Sequence, residues 1–143
     1  MRLTSFTDYG LRILMRMAGD PARAFSATDL ADEFGVSRNH LAKVISTLAA
    51  HGLLKTRRGG QGGALLARPA AEIRLGEVVA LLEANQALVE CFGAGGGNCT
   101  LTPQCRLRSR LVQAEAAFIS DLNRSTLADC LYPGAERVAS GRA

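Results

Sequence analysis

The sequence predicts a mainly α-helical fold with a small β-hairpin wing, a winged helix-turn-helix followed by a long C-terminal dimerisation helix. Three observations predict it. Two helical patterns meet at Gly35 between Thr28 and His51. An arginine- and glycine-rich segment, Arg57 to Gly63, separates two short apolar runs. Apolar residues recur at helical steps from Leu107 to Leu122.

Residues 3–19 place Leu3, Phe6, Leu11, Leu14, Met15 and Ala18 on roughly one helical face before Gly19, Asp20 and Pro21 interrupt the pattern. Ser26 and Asp29 form a Ser-x-x-Asp capping signal for a short second helix through Phe34, with Leu30 and Phe34 facing a core and Gly35 as its stop. Ser37 caps a third helix whose buried stripe is Leu41, Val44, Ile45 and Leu48, ended by Gly52. Ser37, Arg38, Asn39, His40, Lys43 and Thr47 are left facing outward. Leu53–Thr56 and Ala64–Ala67 are the strands of a basic-tipped hairpin. A helical pattern resumes over Leu75–Leu88, and Pro103 opens the long helix carrying Leu107, Leu111, Ala114, Phe118 and Leu122. Ser125 or Thr126 caps a last short helix through Leu131, and Pro133 and Gly134 lead into a tail expected to be disordered.

Composition narrows the function classes. With 143 residues, 48% of them hydrophobic, the chain is long enough to bury one core. Residues 1–68 hold ten basic against five acidic side chains, and residues 69–143 seven against eight, so the excess of the net +4 belongs to the N-terminal half. That asymmetry points to a polyanionic partner for this half. No export signal and no run of the roughly 20 apolar residues needed to span a bilayer is visible, so no membrane association and a cytoplasmic location are expected. There, four cysteines serve metal binding or redox sensing rather than permanent disulfides.

Ala31, Gly35 and Leu41 occupy the small, turn and core positions of two helices crossing at a tight turn. With the hairpin as a wing, the third helix is expected to enter the major groove of double-stranded DNA. Arg38 and Asn39 suit bidentate base contacts, and Ser37, Lys43, Arg57 and Arg58 suit phosphate oxygens. Thr28, His40 and Gln61 complete the expected DNA-binding set. The glycines of the wing are not a nucleotide loop, because no Gly-Lys-Ser or Gly-Lys-Thr follows them. Neither histidine has a nucleophile or carboxylate pair nearby in sequence, so the chain is not expected to be an enzyme.

Cys91, Cys99 and Cys105 lie within fifteen residues that also contain Gly93, Gly95, Gly96 and Gly97. The Cys-x7-Cys-x5-Cys spacing matches neither a zinc ribbon nor a bacterial ferredoxin run, yet three thiols on a glycine loop are most simply a metal centre. Cys130, apart from them, is read either as a buried apolar residue or as a fourth thiolate.

Three stretches carry a family resemblance: Leu3-Thr4-Ser5-Phe6-Thr7-Asp8-Tyr9-Gly10-Leu11-Arg12, Gly35-Val36-Ser37-Arg38-Asn39-His40, and Thr102-Pro103-Gln104-Cys105-Arg106-Leu107. Thr126-Leu127-Ala128-Asp129 adds a closing motif. In these the chain resembles the NsrR type of nitric-oxide-sensing iron-sulfur repressor, within the winged-helix family that includes IscR. The resemblance implies a homodimer on a palindromic operator. It also implies an iron-sulfur cluster, [4Fe-4S] rather than [2Fe-2S], held by Cys91, Cys99 and Cys105, and derepression of nitric-oxide detoxification genes on cluster damage. The histidine that completes the site in IscR-like relatives is absent, since Arg106, Leu107, Arg108 and Ser109 stand there. Asp8 matches the carboxylate ligand of NsrR-like proteins, although it also suits a first-turn helix position by itself. On this reading residues 1–74 bind DNA, while residues 75–143 hold the cluster loop, the dimerisation helix and a short tail. The alternatives are a family regulator with another effector, or a zinc- or thiol-based DNA-binding regulator.

Overall fold

In the computed structural model the described residues are 2–60 and 62–134. Gln61 and the tail from residue 135, both subjects of expectations above, lie outside them. The helices are α1 (Ser5–Gly19), α2 (Ala27–Phe34), α3 (Arg38–Ala50), α4 (Leu75–Leu82) and α5 (Arg106–Leu122), with the hairpin β1 (Leu54–Arg57) and β2 (Gly63–Leu66) between α3 and α4. Short 3-10 turns occupy Ala70–Glu72, Glu90–Phe92, Thr102–Gln104 and Leu127–Cys130. The winged helix-turn-helix with a long C-terminal helix is the architecture expected.

The caps account for the helix-turn-helix. Ser26 Oγ accepts from Asp29 N while Asp29 Oδ2 accepts from Ser26 N, both at 3.0 Å, satisfying two donors that the first turn of α2 leaves open. Gly35 closes the helix at φ +67°, a left-handed angle that favours glycine. Ser37 then caps α3.

The core joins Ile13, Leu14 and Met17 of α1 to Leu30, Leu41, Val44, Leu48, Phe25, Ile73, Val78 and Leu127. The buried side of α1 differs from the expected stripe. Thr7, Gly10, Ile13, Leu14, Met17 and Ala18 are buried, whereas Leu3, Phe6, Leu11 and Met15 are half-buried. The helix is packed from more than one side, by α3, α4, β2 and the Leu127–Cys130 turn, and small residues sit where neighbours come closest. Arg16 is buried with them, its Nε donating to both carboxylate oxygens of Glu33 at 2.8 and 3.1 Å.

Four boundaries differ from those expected. The strands are antiparallel with Leu54 opposite Leu66 and Arg57 opposite Gly63, one residue from the expected positions. The helix expected over Leu75–Leu88 stops at Leu82, because the Glu83 carboxylate turns back to Thr4, accepting from its backbone N–H and its hydroxyl at 2.8 Å each. Pro103 opens a separate 3-10 turn, and α5 begins after it, with Cys105 at its N-cap. The last helix is a 3-10 turn that ends at Cys130, one residue short of Leu131, with the Thr126–Asp129 capping box in place.

The C-terminal region is fastened to the N-terminal one along the chain crossing. Leu127 N donates to Ile73 O at 2.8 Å, and Leu75 N donates to Ser125 O at 3.2 Å. The head of α4 has no cap from its own Arg74, and Asn123 Oδ1, just past α5, accepts from Glu77 N at 3.0 Å instead. No residue of α5 is buried in the single chain, and Leu107 is 64% and Val112 44% exposed. Among the described residues no helix is long and apolar enough to cross a membrane.

Candidate nucleic-acid interface and cysteine loop

The heads of α2 and α3 are tied to each other. Arg38 Nε donates to Thr28 Oγ1 at 3.0 Å, so the first turn of α3 is held at a fixed angle to α2. Thr28, Ser37, Arg38, Asn39 and Lys43 are all exposed there, and α3 contains no acidic residue. Arg57 ends β1 opposite Gly63, and Arg58 follows it, both exposed. The result is a cationic, donor-rich face with a basic hairpin beside it. Gln61 of the same expected set lies outside the described residues.

His40 departs from the expected outward face. It is half-buried, its ring 5.1 Å from Tyr9 in an edge arrangement and 6.3 Å from Phe6, and its buried Nε2 has no hydrogen-bond partner. The physical reason is its place one residue before buried Leu41, on the side of α3 that meets α1. Thr47 is likewise half-buried, its hydroxyl donating to Lys43 O at 3.1 Å.

Asp8 lies in the first turn of α1 and is half exposed. Its two oxygens are both taken by Arg12: Nε to Oδ1 at 3.1 Å and Nη2 to Oδ2 at 2.7 Å. The Arg12 guanidinium carbon is also 5.6 Å from the centre of the Tyr9 ring. A chain of contacts therefore runs from Asp8 through Arg12 and Tyr9 to His40 on α3.

The cysteine loop starts just after α4. Cys91 is half-buried in the Glu90–Phe92 turn, Cys99 is exposed, Cys105 is half-buried at the head of α5, and Cys130 is half-buried; all four are free thiols. Gly95, Gly96 and Gly97 take φ of +90°, +76° and +63°, angles that let the chain fold back tightly. It folds onto Glu90, whose Oε1 accepts from Asn98 N at 2.9 Å and whose carbonyl accepts from Gly93 N at 3.1 Å. Arg108 lies over the Phe92 ring at 5.4 Å and pins the loop to α5.

Among the described residues no three His, Cys, Asp or Glu side chains are grouped closely enough to hold a metal ion. The single chain thus brings Thr28 and Arg38 together, but does not gather the three thiols with Asp8. The donor chemistry nonetheless fits an iron-sulfur group: three thiols, a carboxylate and a glycine-built loop.

Two carboxylates that sequence reasoning passed over organise the region. Burial pushes the Glu83 carboxyl up, but hydrogen bonds from Thr7 and from the backbone and hydroxyl of Thr4 outweigh it and hold the group below the ordinary glutamate value. Glu83 thereby clips the start of α1 to the end of α4, where the chain leaves for Cys91. Its one signal in the sequence is that it breaks an apolar run. Glu90 is eight residues from Asn98, and no periodicity announces that contact.

Comparison with known proteins agrees with this architecture. The family described as Rrf2, iron-dependent transcriptional regulator, matches residues 3–133. The chain is 44% identical over 132 residues to the HTH-type transcriptional regulator NsrR of Geobacillus kaustophilus, covering 92% of this chain and 90% of that protein. Among solved structures, IscR of T. potens superposes with a TM-score of 0.70 at 22% identity, over 100% of this chain and 92% of that one. CymR (YrzC), the global cysteine regulator of B. subtilis, gives 0.68 at 23% identity, over 100% and 99%. At those identities the two structures speak for the fold alone. With the family matched from its opening to its closing motif, the chain belongs to the Rrf2 family of transcriptional regulators and is of the NsrR type.

Proposed function

We propose that the chain is a cytoplasmic, homodimeric repressor that reads a palindromic operator with α3 and the wing of each subunit. It senses nitric oxide through an iron-sulfur cluster, [4Fe-4S], and so derepresses nitric-oxide detoxification genes. The observation that carries this is the joining, in one chain, of an acid-free cationic α3 face to a three-thiol glycine loop. The name of the Geobacillus relative and the family's description as iron-dependent support it. Nitric oxide as effector follows from the resemblance to the NsrR type.

In this reading Cys91, Cys99 and Cys105 bind the cluster as thiolates and Asp8 supplies an oxygen. Thr28, Ser37, Arg38, Asn39, His40, Lys43, Arg57, Arg58 and Gln61 form the DNA-binding set, with His40 acting from its half-buried place against α1. When bound, the cluster supplies a centre that reacts with nitric oxide. The protein's own part lies in the contacts of Asp8. Its oxygens each accept from Arg12, so an Asp8 that served as ligand would share its carboxylate between Arg12 and the cluster. Arg12 in turn lies by Tyr9, and Tyr9 bears on His40 in the first turn of α3. Inverting operator occupancy from 99:1 to 1:99 takes about 5.5 kcal/mol of preference between the two states, within what metal-thiolate binding provides.

The test is a nitric oxide titration of anaerobically prepared protein on operator DNA, followed by absorbance and by anisotropy. The parent protein is expected to bleach and release the operator together. Asp8→Ala protein is expected to keep the three-thiolate absorption but to lose cluster stability or the coupling of bleaching to release. A spectrum and a DNA affinity both matching the parent would remove Asp8 from the ligand set.

A further inference from the structure

The segment between α1 and α2 is part of the wing. Phe25 N donates to Ala64 O and Ala64 N donates to Phe25 O, each at 2.8 Å, so this segment is tied to β2 by a one-residue antiparallel bridge. The Phe25 ring is fully buried, and the Arg23 guanidinium carbon stands 4.5 Å from its centre. An exposed arginine on a loop is thereby given a rigid platform. Arg23 and Arg57 share a hollow of about 400 Å³ with Ser26, Asp29, Gly60 and Gly62.

We infer that this hollow seats a phosphate of the DNA backbone, with Arg23 as a contacting residue alongside Arg57. The two cations face one carboxylate, Asp29, and that carboxylate is committed to capping α2: hydrogen bonds from the Ser26 backbone and hydroxyl hold its carboxyl below the ordinary value, and the Arg23 charge adds to this. The ion pairs between described residues are Arg12–Asp8, Arg16–Glu33 and Arg124–Asp121, and they leave Arg23 and Arg57 uncommitted. The N–H groups of Ser26, the N-cap, and of Asp29 are taken by the capping box, so a free anion would meet fewer backbone donors at the head of α2. A phosphodiester strand suits the site better, because the hollow lies between the wing and the head of α2, whose Thr28 holds Arg38 of α3. A strand running between the groove read by α3 and the groove reached by the wing passes over it.

The inference rests on α3 being a DNA reader, and the experiment separates the two. Full-length protein, prepared anaerobically, is titrated with an operator duplex and a scrambled duplex of equal length over a series of salt concentrations. Arg23→Gln is expected to weaken both duplexes by the same factor and to lower the slope of log affinity against log salt by about 0.9 per subunit. Arg23→Lys is expected to restore the slope, because the charge that displaces a counterion is kept; a merely structural role on Phe25 would change affinity and leave the slope as it was. Arg57→Gln, which leaves the Phe25 platform intact, is expected to lower the slope by a similar amount. An unchanged slope in both glutamine variants overturns the inference, as does a loss confined to the operator, which would mark a base contact. Saturable binding of inorganic phosphate to the DNA-free parent that is lost in Arg23→Gln, while both duplexes bind that variant unchanged, overturns the assignment to DNA. Parent protein that binds neither duplex overturns the reading of α3 itself.

Discussion

Cys99→Ala protein, purified without oxygen, is expected to be colourless and to bind its operator no better than unrelated DNA, a loss of about a thousandfold at the lower end of the usual specific-to-nonspecific ratio. The side chain is exposed and free, so its removal costs the apo-protein little; surface substitutions of this kind usually stay within about 0.5 kcal/mol. Thermal melting of the apo-variant should match that of the apo-parent, which separates a lost ligand from a lost fold. Cys130→Ala is the internal control. Cys130 stands on the Leu127–Cys130 turn, away in sequence from the glycine loop, and its removal should leave colour and operator affinity in place. Colour lost in Cys130→Ala and kept in Cys99→Ala would reassign the thiolates and favour a site built around the closing turn.

Phe25→Ala is expected to be the most destabilising single change in the DNA-binding half, costing about 3–5 kcal/mol in urea denaturation. That is a large share of the roughly 5–15 kcal/mol by which a domain of this size is stable. The ring is fully buried, and it lies against two guanidinium groups, Arg16 at 4.7 Å and Arg23 at 4.5 Å. Removing it leaves a cavity beside Arg16, whose Nη1 is already buried without a hydrogen-bond partner. It also takes away the platform under Arg23. The variant should therefore combine lower stability with a shallower salt dependence of DNA binding. A loss below about 1 kcal/mol would show that the wing and α1 are not coupled through this residue.

The parts of the fold that were legible are those with local signatures. Ser26 with Asp29, Gly35 and Ser37 announce where α2 and α3 begin and end, because capping chemistry is confined to a few consecutive residues. The glycine run after Arg57 announces the hairpin to within one residue. What sequence could not show was set by distant partners. Glu83 ends α4 early by bonding to Thr4, seventy-nine residues away. Phe25 forms a one-residue bridge too short for any alternation to reveal. His40 turns toward Tyr9 because α1 passes there.

The candidate site divides the same way. The polar residues of α3 and the spacing of Cys91, Cys99 and Cys105 are visible in the chain itself. Their neighbourhood is not: the pairing of Asp8 with Arg12, the clasp of Glu90 on Asn98 and the seat of Arg23 on Phe25 each depend on three-dimensional packing. Among the described residues the thiols do not form a closed set with Asp8, and the exposed α5 face offers room for a second subunit beside the loop.

If the three loop thiols hold inorganic iron and sulfide whose loss alters DNA binding, both are read out by iron and acid-labile sulfide analysis of protein purified strictly without oxygen, with operator affinity measured on the same sample before and after nitric oxide. Iron and sulfide are expected at about four of each per subunit, as a [4Fe-4S] cluster requires and a [2Fe-2S] cluster does not, with operator affinity falling as both are lost. Protein that contains neither, yet binds its operator fully and is indifferent to nitric oxide, would contradict this account.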